Sequence, residues 1–276
     1  MVCACTSGAE AGSASQVDDR GDPTERPDIE LVRELAIANR ILFQQGVLDA
    51  FGHVSVRHDK RPDRFLLARN MAPALVTEGD IVEFDLAGNP VDAAGRPVYL
   101  ERFIHSEVYK ARPDVIAVVH SHSPSVVPFG VVKSVPFRAV CHMSGFIGDS
   151  TPIFEIREVC GDGSDLLVRN GQQGAALATT LGSRNVVLMR GHGSTVVGST
   201  LRQAVFRAVY TETNAKLQSE ALRLGTVTYL SAAEGEATDV SVSSQIDRAW
   251  NLWREEAVAT WRASAALASA EACSTG

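Results

Sequence analysis

From residue 28 onward the apolar positions alternate between helical and strand-like periods. The stretch DIELVRELAIANRILFQQG opens on Asp28, suited to an N-cap, and places Leu31, Leu35, Ala38 and Leu42 at helical spacing. It stops at Gly46, where a left-handed C-cap carries no side-chain penalty. Three short β-like runs follow, HVSVRH at 53–58, RFLLAR at 64–69 and IVEFDL at 81–86, the last leading into the turn AGNP, and together they predict a meander. ERFIHSEVYKARPD reads as a helix with Phe103, Val108 and Ala111 among its apolar positions, ended by Arg112-Pro113. A buried strand is predicted over 115–120, in VIAVVHSHSPS. Beyond it, RAVCH at 138–142 repeats the strand pattern, and SDLLVRNGQQGAALATTLG at 164–182 reads as a helix capped by Ser164. NVVLMR at 185–190 and STVVG at 194–198 read as strands, residues 201–224 as a long helix, and TVTYL at 226–230 as a last strand.

The closing segment, from 242 to about 270, carries Ile246, Trp250, Trp253, Ala257 and Trp261 on one wide apolar stripe, a packing face. Helices alternating with strands predict an α/β fold, a single layered domain with its sheet between helices. Residues 1–27 are rich in Ser, Ala, Gly and acidic residues and have few large apolar side chains, the composition of a disordered tail. The expected organisation is that tail, a domain over 28–240, and a C-terminal helix over 241–276 that packs on the domain or on a neighbouring subunit.

Composition narrows the function classes. The chain has 276 residues, enough for a sizeable core, and its 45% hydrophobic and 21% charged residues are ordinary for a globular protein. A net charge of −7 and the lack of any basic run argue against nucleic-acid binding, so the expected partner is a small molecule. The five cysteines, Cys3, Cys5, Cys141, Cys160 and Cys273, form neither a disulfide framework nor a paired zinc motif. No 18-residue apolar run occurs, and the first 25 residues lack a basic and an apolar signal region. The expectation is a cytoplasmic protein without membrane contact.

The chemistry collects on histidines. Strand side chains alternate faces, so His120 and His122 emerge on one side, a spacing that suits two ligands of one metal and equally a solvated edge or a hydrogen-bonded pair. His192, in VVLMRGHGSTVVG, follows another strand between two glycines, which permit a sharp turn and a close approach; an incidental histidine in a tight hairpin reads the same way. Three imidazoles with an open position suit a catalytic divalent metal. The missing partner would be a carboxylate, and Glu101 stands at the N-terminal turn of a helix, where the dipole also favours it.

LERFIHSEVYKARPDVIAVVHSHS, preceded by GVLDAFGHVSVR and followed by VVLMRGHG, resembles the class II aldolase/adducin family over roughly residues 29–235. The resemblance implies a three-layer α/β/α domain around a mixed, largely antiparallel sheet. It implies a metal held by His120, His122 and His192, with Glu101 either as fourth ligand or as general acid/base, and His105 in a supporting role. An adducin-like binding protein is the non-enzymatic alternative, but it would not need the three histidines that are present.

Where the sugar-phosphate aldolases of that family hold phosphate with small donors, this chain has Gly52-His53, Asn70-Met71 and Tyr99-Leu100. With Arg69, these suit a flat anion better than a phosphate. The pattern resembles the branch of the family that decarboxylates hydroxylated aromatic dicarboxylates, of the 3,4-dihydroxyphthalate or 3-hydroxy-2-methylpyridine-4,5-dicarboxylate type. The implied function is a metal-dependent carboxy-lyase in aromatic catabolism, with an aldolase of a non-phosphorylated hydroxy-oxo acid as the second reading. A divalent cation is the electron sink for the charge left as carbon dioxide departs, Mn2+ first, with Zn2+ or Co2+ also compatible. Proton delivery falls to Glu101, if burial keeps it protonated, or to His142, which lies where the aldolases place a tyrosine reaching into a neighbouring subunit's site. Substrate contacts fall to His53, Ser55, Arg69, Asn70 and Tyr99. A homotetramer with active sites at its interfaces follows from the resemblance.

Overall fold

The computed structural model describes residues 23–274, so residues 1–22 of the expected tail, with Cys3 and Cys5, lie outside the described residues. Residues 23–27 hold only a short 3-10 turn, Pro23–Glu25. Helix α1 spans Ile29–Gln44, and its Asp28 N-cap carboxylate accepts from the Glu30 N–H at 2.9 Å. Leu35, Ala38 and Leu42 are fully buried, as their spacing predicts.

Seven strands form one sheet: β1 (His53–Arg57), β2 (Arg64–Ala68), β3 (Ile81–Asp85), β4 (Ala117–Ser121), β5 (Ile153–Phe154), β6 (Val186–Met189) and β7 (Gly193–Gly198). Their order is β3-β2-β1-β4-β7-β6-β5, antiparallel throughout except for the parallel β5–β6 edge. The remaining helices are α2 (Arg102–Ala111), α3 (Val127–Val131), α4 (Arg157–Cys160), α5 (Gly171–Leu181), α6 (Leu201–Leu224), α7 (Ala232–Ser243) and α8 (Ile246–Ser274). Helices α1, α6 and α8 pack together on one side of the sheet, and α2 pairs with α5 on the other. This is the expected α/β/α sandwich with a mixed, largely antiparallel sheet. Within α8, Trp250 and Ala257 are buried and Trp253 packs on Phe206 and Tyr210 of α6, whereas Trp261 is half exposed beneath the Arg40 guanidinium.

Several elements differ from the sequence pattern. Residues 138–142 and 226–230 are not strands. The first segment is extended, but its backbone is satisfied by side chains of α6. Asn214 Nδ2 donates to Arg138 O at 2.8 Å while its Oδ1 accepts from Val140 N at 2.9 Å. Gln218 likewise donates to Pro136 O at 2.7 Å and accepts from Arg138 N at 3.1 Å. Two buried amides thus take the place of a neighbouring strand, and the segment at 226–230 contributes one backbone bond, Leu230 N to Ala139 O.

The helix expected from Ser164 begins only at Gly171, capped by Asn170, whose side chain accepts from Gln173 N. Ser164 and Asp165 instead accept from the N–H groups two residues on, and Leu166 has a left-handed φ of 70° that no helix accommodates. Helix α7 crosses the boundary drawn at 240, and α8 starts after a break at Ser244-Gln245.

Candidate metal centre

Glu101, His120, His122 and His192 each offer one ligand atom, and the four atoms lie within 4.8 Å of one another. His120 and His122 come from the end of β4, and their Nε2 atoms are 3.2 Å apart. His192 stands in the β6–β7 hairpin, 2.9 Å away between the Nε2 atoms of His122 and His192. Its glycine neighbours have separate jobs. Gly191 takes a φ of 66°, and Gly193 lies so close to β4 that a Cβ there would fall 1.9 Å from Ser121 O.

Glu101 is the N-cap residue of α2 but makes no capping bond. Its Oε2 faces the Nε2 atoms of His120 and His192 at 3.5 Å each, and its Oε1 accepts from Val168 N at 3.0 Å. Burial pushes this carboxyl up, but hydrogen bonding and charge at His120 and His192 outweigh it and hold Glu101 well below the usual carboxylate range. The condition for a protonated resting acid is therefore not met, and Glu101 sits in the cluster as a carboxylate.

Orientation comes from backbone groups. His120 Nδ1–H donates to Ser194 O at 3.1 Å and His192 Nδ1–H to Leu166 O at 3.0 Å. With Nδ1–H so engaged, each neutral imidazole would turn an Nε2 lone pair toward a bound cation in place of the Nε2–H that faces Glu101, the outer-shell arrangement typical of metal-ligating histidines. His122 Nε2 has at most one proton to give to two such neighbours, so hydrogen bonds alone do not satisfy the cluster. The nitrogen spacings approach the edge of about 3.3 Å that metal–nitrogen bonds of about 2.0–2.1 Å give a tetrahedron. The donor set fits a divalent cation.

The remaining predicted residues spread outward from this centre. His53, at the start of β1, lies beside His120 and beside Tyr99, with ring centroids 5.1 and 4.6 Å apart. Tyr99 is buried and donates to Met71 O at 2.5 Å, so it braces His53 and the loop after β2 rather than offering an open ring face. Arg69 is anchored through Nε to Asp80 at 2.7 Å, and among the described residues its two terminal nitrogens make no hydrogen bond. Asn70 is exposed, with its backbone N–H donating to Pro97 O. Ser55 corrects the expectation of a substrate contact: it is fully buried, with its hydroxyl taken up by His105 Nδ1 at 2.6 Å and Tyr109 OH at 2.7 Å. His142 is exposed on the 3-10 turn His142–Ile147; among the described residues its ring pairs with Cys141 Sγ at 3.9 Å and it is not part of the four-residue cluster. Arg57 donates to Tyr109 O and Arg112 O and so caps the C-terminal end of α2.

Sequence reasoning missed Tyr109 and the three backbone partners Ser194 O, Leu166 O and Val168 N. Tyr109 had a signal, since Glu101, His105 and Tyr109 recur every fourth residue and so share one helix face.

Comparison with known proteins agrees with this geometry. Residues 33–219 match the model of the Class II Aldolase and Adducin N-terminal domain. The chain belongs to the class II aldolase and adducin family. One relative is Decarboxylase tropJ of Talaromyces stipitatus, 38% identical over 248 residues, covering 82% of this chain and 93% of that one. A second is 3,4-dihydroxyphthalate decarboxylase of Arthrobacter keyseri, 31% identical over 205 residues, 69% of this chain and 78% of that one. Among solved structures, an aldolase II superfamily protein from Pseudomonas syringae superposes with a TM-score of 0.70 at 21% identity, over 88% of this chain and 96% of that one. That likeness carries the class II aldolase fold. No helix among the described residues is long and apolar enough to cross a membrane.

Proposed function

We propose that this member of the class II aldolase family is a divalent-metal-dependent decarboxylase of an ortho-hydroxylated aromatic or pyridine dicarboxylate. The observation that carries the reading is the convergence of Glu101 and three imidazoles within 4.8 Å, in a family whose relatives above are named decarboxylases. His120, His122, His192 and Glu101 would hold the cation. When bound, it would supply Lewis acidity toward the substrate's oxygen atoms and a sink for negative charge. Mn2+ leads the candidates, with Zn2+ or Co2+ compatible with the same donors.

The chain's own groups bind and orient the ring. Arg69, anchored by Asp80, would offer its terminal N–H groups to a substrate carboxylate. His53 stands between that arginine's neighbour Tyr99 and the metal ligand His120. Glu101, ionised at rest, can accept the ring hydroxyl's proton on binding and return a proton to the ring carbon after loss of carbon dioxide. His142, exposed on its turn, would deliver its proton to a neighbouring subunit's site if the chain assembles as a homotetramer.

The test is carbon dioxide release from a panel of ortho-hydroxy aromatic dicarboxylates by chelated enzyme, with and without added Mn2+ or Zn2+. Metal-dependent release from one ring type is expected. No release from any, with metal still tightly bound, would move the assignment to carbon–carbon cleavage of a hydroxy-oxo acid.

A further inference from the structure

Behind the metal centre runs a buried hydrogen-bonded chain that the reaction as described leaves unused. It links Tyr109 OH to Ser55 Oγ at 2.7 Å, Ser55 Oγ to His105 Nδ1 at 2.6 Å, and His105 Nε2 to His53 Nδ1 at 2.6 Å. Ser55 and His105 are fully buried, and Tyr109 and His53 nearly so. Each hydrogen bond holds one proton, so the direction at one end dictates all the others.

The Tyr109 end decides it. The phenol's other acceptor, Ile116 O, is 3.4 Å away, outside the range of about 2.5–3.0 Å of a good O–H···O bond, whereas Ser55 Oγ is at 2.7 Å. Tyr109 therefore donates to Ser55, which then gives its own proton to His105 Nδ1. His105 is neutral, because burial pulls its pKa down to about 3, so its one proton lies on Nε2 and is donated to His53 Nδ1. Among the described residues His53 Nε2 makes no hydrogen bond, and it is not a sealed atom, so it is the nitrogen this side chain has left to offer a ligand.

We propose that Tyr109, Ser55 and His105 are positioning residues that fix His53 as a neutral Nε2–H donor toward an anionic oxygen of the substrate. The chain orients and does not conduct a net proton: burial raises the Tyr109 hydroxyl far above an ordinary phenol, so the inner end keeps its proton. The helix spacing that places Glu101, His105 and Tyr109 on one face thus serves both the metal and the donor beside it. The identity of the acceptor rests on the decarboxylase reading; the tautomer does not.

Two measurements separate the two. Nitrogen-15 spectra of histidine-labelled protein, with His53 assigned by its loss in His53→Gln, should show the proton on Nε2 in the native chain. A proton on Nδ1 would overturn the proposal whatever the enzyme's activity. On the dicarboxylate turned over, Ser55→Ala and His105→Leu should raise KM at least tenfold with bound metal per subunit unchanged. His105→Gln, whose amide N–H can still reach His53 Nδ1, should recover most of that loss. An unchanged KM in a folded His105→Leu variant, or no recovery by glutamine, would overturn it. Should His105→Leu not fold, the milder Tyr109→Phe replaces it: a shift of the His53 proton off Nε2 in part of the population supports the relay, and a spectrum identical to native overturns it. If no substrate of the class is turned over, the decarboxylase reading fails while the spectra still decide the relay.

Discussion

The metal centre predicts how stability should respond to a cation. A ligand that binds only the folded chain stabilises it by about 2.7 kcal/mol at a hundred times its Kd. For a chain of this length each kcal/mol moves Tm by about 2–4 °C, so restoring metal to chelated protein should raise Tm by roughly 5–10 °C. His122 is an informative ligand to remove, because it is only partly buried. Its Nε2 lies 3.2 Å from that of His120 and 2.9 Å from that of His192, so truncation takes away a donor that both others face. Loss of an outer-shell partner costs about 10–100-fold in metal affinity, and loss of a direct ligand should cost no less. At the same cation concentration, a hundredfold weaker site in His122→Ala sits near its Kd and retains only about 0.4 kcal/mol of linkage, so the rise in Tm should shrink to about 1 °C. The assay is thermal unfolding of chelated wild-type and variant protein over a titration of Mn2+, Zn2+ and Co2+. Equal rises in the two proteins, or none in the wild type, would refute the assigned centre.

Three further outcomes are expected. Arg69→Met should raise KM for an aromatic dicarboxylate roughly 10- to 150-fold, the equivalent of a charge-assisted hydrogen bond of about 1.5–3 kcal/mol, and an unchanged KM would remove Arg69 from the site. Asn214→Leu leaves Arg138 O and Val140 N without partners at about 1–3 kcal/mol each, so urea unfolding should show a loss of about 2–6 kcal/mol; a loss below about 1 kcal/mol would mean that water replaces the amide. The hydrogen bond from Arg157, with Arg190 also contributing against the cost of desolvation, holds Glu155 down at about 2, so its contribution is complete above the unfolded pKa of about 4.3 and is lost as pH falls toward 2. Glu155→Gln should remove that part of the acid dependence, as read by unfolding midpoints across this window.

Much of the fold was legible because its signals are local. The first helix, the three-strand meander and the 201–224 helix follow from period and caps, and the structure places them within one or two residues of those positions. The misreadings share a cause. Residues 138–142 have strand composition, but Asn214 and Gln218 supply their hydrogen bonds from a helix more than seventy residues away, a pairing no local pattern carries. The start of the 164–182 segment has helical composition, but Leu166 breaks it with a left-handed backbone. At the site, the four converging side chains could be named through the resemblance that their motifs carry, whereas the partners that aim them could not.

That division has a physical reason. A ligand needs a particular side chain, so its identity marks the sequence; an outer partner such as Leu166 O or Val168 N is a backbone group that any residue except proline at 168 can provide. What the loop at 164–170 must conserve is conformation. Its carbonyl at 166 and its N–H at 168 hold His192 and Glu101 at the same time, so one local shift would misalign two ligands together. The left-handed φ at Leu166 costs about 1–2 kcal/mol in a residue with a Cβ, and glycine or asparagine there would relieve it while leaving the carbonyl in place. The strained leucine is thus no requirement of the metal centre. The requirement is the turn itself, which Ser164 and Asp165 enforce through their bonds to the N–H groups of Leu166 and Leu167, and the ion pair of Asp165 with Arg169 closes it. Two candidate ligands therefore depend on backbone groups of one loop, and substitutions at Ser164 or Asp165 would reach the centre through the backbone those side chains hold.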